Sequence, residues 1–259
     1  MLHSALNPDN AFALPQPVFV KLDRMKVRQD GSKESTFIYY VDFFSSPMEY
    51  LMLEPAHLES VVSEEDVVQR GRALFRAGRE CKNIFVVRSG SFKSVLSNGN
   101  GLTQITGFRM AGELLGLGGL STGRYECDAI ALEDSTVCVV PLATLEQACH
   151  YKMIMQCHVH RLFGREIARG SNLMLLLGTM NSEQRVATFL VDLSTRLRAR
   201  GYSATEFRLR MTRGDICSFL GMSRKTLNHV FSRLREKRLV DTSRDQVQIL
   251  NLACLASLC

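Results

Sequence analysis

Glycine and proline divide this chain into two unlike parts. Eleven of its 18 glycines fall between Gly71 and Gly123, and no proline follows Pro141. Short apolar runs lie within or just after the glycine-rich part: Ile84-Phe85-Val86-Val87, then Thr136-Val137-Cys138-Val139-Val140. Turn residues about every ten positions between short strands predict an antiparallel β barrel or sandwich. Beyond Leu142 helical periodicity takes over, so the architecture changes there. Upstream the pattern is weaker. Val18 to Leu22 and Phe37 to Phe44 are expected strands around a polar turn at Asp30-Gly31-Ser32-Lys33, and Glu54 to Ser63 an expected short helix.

Leu142 to about Thr179 reads as one long helix. Met153, Gln156, His160, Phe163, Ile167, Gly170, Met174 and Leu177 recur at steps of three or four, as in a coiled-coil seam. Val159, Leu162, Leu173 and Leu176 form a second apolar stripe. Two stripes let one face serve the β domain and the other a second copy of the chain. A homodimer is therefore expected, with His160, Phe163, Ile167, Gly170 and Met174 in its seam.

Asn181 or Ser182 then caps a helix that runs to about Arg200 and stops at Gly201. Phe207 to Arg210 alternates as a short strand. Thr212 caps a short helix ending at Gly221, whose glycine permits a tight turn. Ser223 caps the next helix. Its Leu227, Val230, Phe231 and Leu234 share an inward face, while Arg224, Lys225, Asn228 and His229 point outward near its start. Leu239-Val240, a turn at Ser243-Arg244-Asp245 and Val247-Gln248-Ile249 form a hairpin. Helix, glycine turn, capped basic helix and hairpin, in that order, predict a winged helix-turn-helix. The amino end of its second helix would enter the major groove of double-stranded DNA.

Charge supports a polyanion partner for this part. From Ser182 to Cys259 there are 14 Lys and Arg against 7 Asp and Glu, which leaves a net charge of −1 on the rest of a chain that totals +6. Arg224, Lys225, Asn228 and His229 are the expected base readers. Thr226 and the exposed N–H groups at the Ser223 cap suit a phosphate oxygen.

Thr212-Arg213-Gly214-Asp215-Ile216 and Leu220-Gly221-Met222-Ser223-Arg224-Lys225-Thr226-Leu227 resemble the helix-turn-helix of the CRP/FNR family of bacterial transcription regulators. The similarity reaches upstream through Leu74 to Gly78, Val87 to Gly90, Gln104 to Phe108 and Ala111 to Gly116, and spans about residues 55–255. It implies an α+β chain: a cyclic-nucleotide-binding-like β-roll, a long dimerisation helix and a C-terminal winged helix-turn-helix. The expected bounds are 1–52 for an N-terminal extension, 53–142 for a sensor-like roll, 143–179 for the dimerisation helix and 180–255 for the DNA-binding domain. RNA polymerase is a further implied partner if the chain activates transcription.

Departures from the family matter as much. cAMP-binding members grip the cyclic phosphate with an Arg-Ser pair after a Gly-Glu-Leu segment. Gly112-Glu113-Leu114 survives here, but the pair is replaced by Tyr125-Glu126, and a glutamate repels phosphate. Oxygen-sensing members hold an iron–sulfur cluster on four thiolates. Cys138 matches their cysteine in the roll, but none of the eight cysteines precedes Cys81. No cofactor is therefore expected. Redox-gated members carry an aspartate in the seam where Gly170 stands, so dimerisation here is expected to need no cofactor. On the recognition helix, Arg224 resembles a guanine reader, Lys225 replaces a glutamate and His229 replaces an arginine, so the half-site should differ from both family consensus sequences. Arg213, Ser223 and Thr226 match phosphate-contacting positions of the family, and the resemblance implies that they set the register.

No Gly-x-Ser-x-Gly, P-loop or His-Glu-x-x-His motif points to an enzyme. His150, His158 and His160 are near in sequence, but the last two face different ways on a helix. Cys217 and Cys138 are candidate redox thiols; a buried, inert role competes with that reading. No apolar run approaches the roughly 18 residues of a membrane span. Met1 to Val20 lacks a signal-peptide pattern, so the cytoplasm is the expected location.

Overall fold

A computed structural model describes residues 61–259. The expected strands at 18–22 and 37–44, the turn at 30–33 and the extension at 1–52 lie outside these residues. So does most of the helix expected at 54–63; its described part, 61–63, is not helical.

Eight strands build the first domain: β1 (Glu64–Val68), β2 (Ala73–Phe75), β3 (Asn83–Ser89), β4 (Ser91–Ser97), β5 (Thr103–Met110), β6 (Leu114–Leu115), β7 (Asp128–Ala131) and β8 (Ser135–Pro141). They pair antiparallel in two four-stranded sheets, ordered β1-β8-β3-β6 and β2-β7-β4-β5. The unbroken apolar runs of β3 and β8 have a simple cause. Successive side chains alternate across a strand. Phe85, Val87, Val137 and Val139 enter the roll interior with Phe75, Phe92 and Tyr125. Ile84, Val86, Cys138 and Val140 face the other way, onto Val61, Leu145 and Met155. Both faces are buried, so both must be apolar.

The helical half departs from expectation in one place. The stretch from Leu142 is two helices, α1 (Leu142–Tyr151) and α2 (Met153–Thr179). Lys152 between them is extended, with φ −127° and ψ 103°. The amphipathic pattern continues across the break, and no glycine or proline marks it. Leu145 and Met155, on either side of it, both pack into the cluster on the outer face of β3 and β8.

The last domain comprises α3 (Ser182–Ala199), β9 (Glu206–Arg208), α4 (Arg213–Leu220), α5 (Arg224–Glu236), β10 (Val240–Ser243), β11 (Gln246–Ile249) and α6 (Leu252–Ala256). Asn181 caps α3 through the amides of Glu183 and Gln184, and the Gln184 side chain returns a bond to the Asn181 amide. The three strands form one sheet in the order β10-β11-β9. A core of Val186, Phe189, Leu190, Leu193, Ile216, Leu220, Leu227 and Leu234 extends to Ile105, Phe108 and Leu132 of the roll. The two domains therefore share one apolar cluster.

Candidate nucleic-acid interface

The turn between α4 and α5 follows from three residues. Thr212 caps α4 by accepting from the Asp215 amide at 3.1 Å, and Asp215 accepts from the Thr212 amide at 2.9 Å. Gly221 ends α4 in the left-handed region, φ 59° and ψ 46°, which a residue with a Cβ rarely adopts. Ser223 Oγ accepts from the Thr226 amide at 3.1 Å and lies 2.8 Å from Thr226 Oγ1. A cap of this kind stabilises a helix by about 1 kcal/mol.

On α5, Leu227, Val230, Phe231 and Leu234 are buried. Arg224, Lys225, Asn228 and His229 are all exposed, on the face that the sequence assigned to the bases. Arg224 reaches back over α4. A Cβ added at Gly214 would lie 3.1 Å from Arg224 Nη2, so this glycine leaves room for the arginine. Many other basic residues of the domain are neutralised locally. Arg235 pairs with Asp241, Arg233 and Lys237 with Glu183, Arg208 with Asp245, and Arg210 with Glu133. Among the described residues, no carboxylate pairs with Arg224 or Lys225. Arg224 and Lys225 thus leave positive charge for a polyanion at the amino end of α5, where the helix dipole adds to it.

Arg213 is more constrained than a free phosphate hand. Its guanidinium lies 4.2 Å from the Phe231 ring centroid, and Nη2 donates to the Arg244 carbonyl at 3.4 Å. Nη1 is buried without a hydrogen-bond partner. The residue thus tethers the β10–β11 turn to the helix-turn-helix. Arg244, exposed at that turn, has φ 52°.

One residue escaped the sequence reading. Arg185 donates to the Met180 carbonyl at 2.9 Å, to Leu177 at 2.7 Å and to Leu220 at 3.0 Å. It joins the carboxyl end of α2 to the turn before the recognition helix. An arginine in a first helical turn, against the helix dipole, was the available signal.

Along α2, His160, Ile167, Gly170 and Met174 are exposed and Phe163 is half-buried. Ile167 is 71% and Met174 76% exposed, unusual for an apolar stripe with nothing against it. The second stripe does face its own chain: Leu176 is buried, and Leu173 and Val159 pack on core clusters.

The two candidate redox thiols, Cys138 and Cys217, are both buried. Cys138 is fully buried in β8. Burial pushes the Cys217 thiol up, and the nearby Arg224 and Arg213 do not reverse this. Neither has the solvent exposure of a typical reactive thiolate. Among the described residues, no group of three His, Cys, Asp or Glu is placed to hold a metal ion. Nor is any helix there long and apolar enough to cross a membrane.

In the roll, Tyr125 and Glu113 are engaged within the chain itself. Tyr125, at the position of the phosphate-gripping arginine, stacks on Phe75 with centroids 3.9 Å apart and donates to the Asn83 carbonyl at 2.7 Å. Burial pushes its phenol up to about 12, so it stays neutral. Glu126 is exposed, and Glu113 is surrounded by the chain's own arginines.

A β-roll joined through a long helix to a winged helix with an unpaired basic face defines a DNA-binding regulator with a sensor-type domain. Comparison with known proteins agrees. Residues 65–152 match the cyclic nucleotide-binding domain and residues 184–258 the Crp-like helix-turn-helix domain. The chain is 38% identical over 205 residues to the transcriptional regulatory protein btr of Bordetella pertussis, covering 79% of this chain and 85% of that protein. It is 36% identical over 212 residues to the transcriptional activator protein anr of Pseudomonas aeruginosa, covering 82% and 87%. Among solved structures, FixK2 from Bradyrhizobium japonicum superposes with a TM-score of 0.69 at 25% identity, covering 76% of this chain and 97% of that one. The chain belongs to the CRP/FNR family of transcription regulators and carries that family's DNA-binding domain.

Proposed function

We propose that the chain regulates transcription as a homodimer on a two-fold symmetric DNA site, without cAMP and without an FNR-type iron–sulfur cluster. Residues 53–142 act as the sensor-like roll, 143–179 as the dimerisation segment and 180–255 as the DNA-binding domain. Arg224, Lys225, Asn228 and His229 read base edges. Arg213, Ser223 and Thr226 hold phosphates and set the register. An activator would also contact RNA polymerase.

One observation carries this reading: four polar side chains exposed together at the capped amino end of an amphipathic helix, with no carboxylate on Arg224 or Lys225 among the described residues. The exposed row His160, Ile167, Gly170 and Met174 supports a seam between two copies. Without a charged residue at Gly170, two copies meet there with no like-charge penalty.

Selection of bound duplexes from a random pool tests the proposal. The expected product is a two-fold symmetric sequence whose half-sites lie one helical turn apart. Binding with no preference over bulk competitor would refute it. Calorimetric titration with cAMP should show no heat of binding; micromolar affinity would refute the ligand-free reading.

A further inference from the structure

Six charged side chains from three parts of the fold gather around one fully buried carboxylate, that of Glu113. The turn after β5 supplies Glu113, and β5 itself supplies Arg109. The helix α2 supplies Glu166 and Arg169, and α3 supplies Asp192, Arg196 and Arg200. Arg196 Nη2 lies 2.9 Å from Glu113 Oε2, and Arg200 Nη2 lies 2.8 Å from Oε1. Arg169 Nη2 is 3.8 Å from Oε2. The same α3 arginines grip the roll backbone: Arg196 donates to the Phe108 carbonyl at 2.8 Å, and Arg200 to Ala111 at 2.8 Å. Arg109 and Arg169 share Glu166, at 2.7 and 2.9 Å.

The contact continues toward the helix-turn-helix. Lys93 of β4 is 2.6 Å from Asp215, and the Ile105 amide donates to Ser218 Oγ at 3.0 Å. Phe108 of the roll lies 6.0 Å from Phe189 and 5.2 Å from Phe219 between ring centroids. The cavity beside the cluster, about 40 Å³, has room for a few waters but is far too small for a nucleotide. Throughout this contact the base-reading face of α5 stays exposed.

We propose that Glu113 is a positioning residue for DNA binding: through Arg196 and Arg200 it anchors α3, and with it the recognition helix, on the roll of its own chain. The domain is held in one attitude by internal charges and needs no ligand. A single positioned domain gains little from this. Two domains that must meet both halves of one site gain much, because neither has to be oriented at the moment of binding. The inference therefore rests on the two-fold DNA reading above.

The test uses the full chain and has one arm that involves no DNA. Hydrogen exchange is followed in wild type, Glu113→Gln and Arg200→Gln. The amides of β5 and α3 should lose protection together in both variants, while those inside α5 keep theirs. Unchanged exchange at β5 and α3 would overturn the anchor whatever the DNA arm shows.

In the second arm, affinity for a full two-fold site should fall about tenfold, with affinity for an isolated half-site unchanged. Equal losses on both, or a loss on neither, would overturn the positioning role. Glu113→Asp, which keeps the charge, should restore part of the full-site affinity, and a defect equal to that of Glu113→Gln would count against the charge. Should Glu113→Gln fail to fold, Arg200→Gln, which leaves the Arg196–Glu113 pair, carries both readouts.

Discussion

Arg213→Ala separates phosphate contact from base reading. In the free protein the substitution removes a guanidinium 4.2 Å from the Phe231 centroid and a 3.4 Å bond to the Arg244 carbonyl. The ring contact is worth about 0.5–1 kcal/mol at a half-exposed site. The long hydrogen bond adds at most a few tenths. A loss of about 1 kcal/mol lowers Tm by about 2–4 °C in a chain of this size. On DNA, losing one phosphate contact per protomer lowers the slope of log K against log salt by about 0.9 for each chain. The loss is the same for every sequence. Arg224→Ala behaves oppositely: little change in stability, unchanged preference at distant positions, and about 1–3 kcal/mol of lost discrimination at one base pair. Fluorescence anisotropy on matched and single-substituted duplexes, repeated across a salt series, measures both. If Arg213→Ala relaxed a base preference and left the salt slope intact, the assignment of roles would be wrong.

Three further outcomes are expected. Ser223→Ala removes the cap of α5 and should cost about 1 kcal/mol in urea denaturation, with weaker DNA binding; no change would mean that the cap is dispensable. Ile167→Glu sets two carboxylates across the proposed seam and should give a monomer in sedimentation velocity, whereas a persistent dimer would place the seam elsewhere. Acid should unfold the chain partly through Glu113. Burial alone would raise this carboxyl, but Arg196, Arg169, Arg200 and Arg109 together pull it down from 4.5 to about 2. A folded value below the unfolded one stabilises the protein above pH 4.5, by about 3 kcal/mol, and this is lost as pH falls from 4.5 toward 2. Asp215, lowered by Lys93 and Thr212 despite its burial, acts in the same direction. Asp192, raised by burial, opposes it. Denaturation between pH 3 and 6 should therefore be less steep in Glu113→Gln, and an equal slope would remove Glu113 from the account.

The interface was legible where its causes are local. Thr212, Gly221 and Ser223 act on residues within a few positions of themselves, and the inward face of α5 repeats with the helix period, so spacing alone located them. The joint between the domains was not legible. Lys93 and Asp215 are 122 residues apart and Glu113 and Arg196 are 83 apart, and no period links such pairs. The interruption at Lys152 was equally hidden, since the residue there carries no breaker signal. Tyr125 was read as a lost phosphate grip; that its ring fills the roll against Phe75 required coordinates.

Arg185 has a mechanical consequence. One planar guanidinium ties carbonyls at the ends of α2 and α4 together, across the extended residues Met180 and Asn181, so a shift of the long helix is passed toward the turn before the recognition helix. In the proposed dimer such a latch would make the spacing of the two recognition helices a property of the protein, and DNA whose half-sites are set at another pitch would itself have to twist to fit.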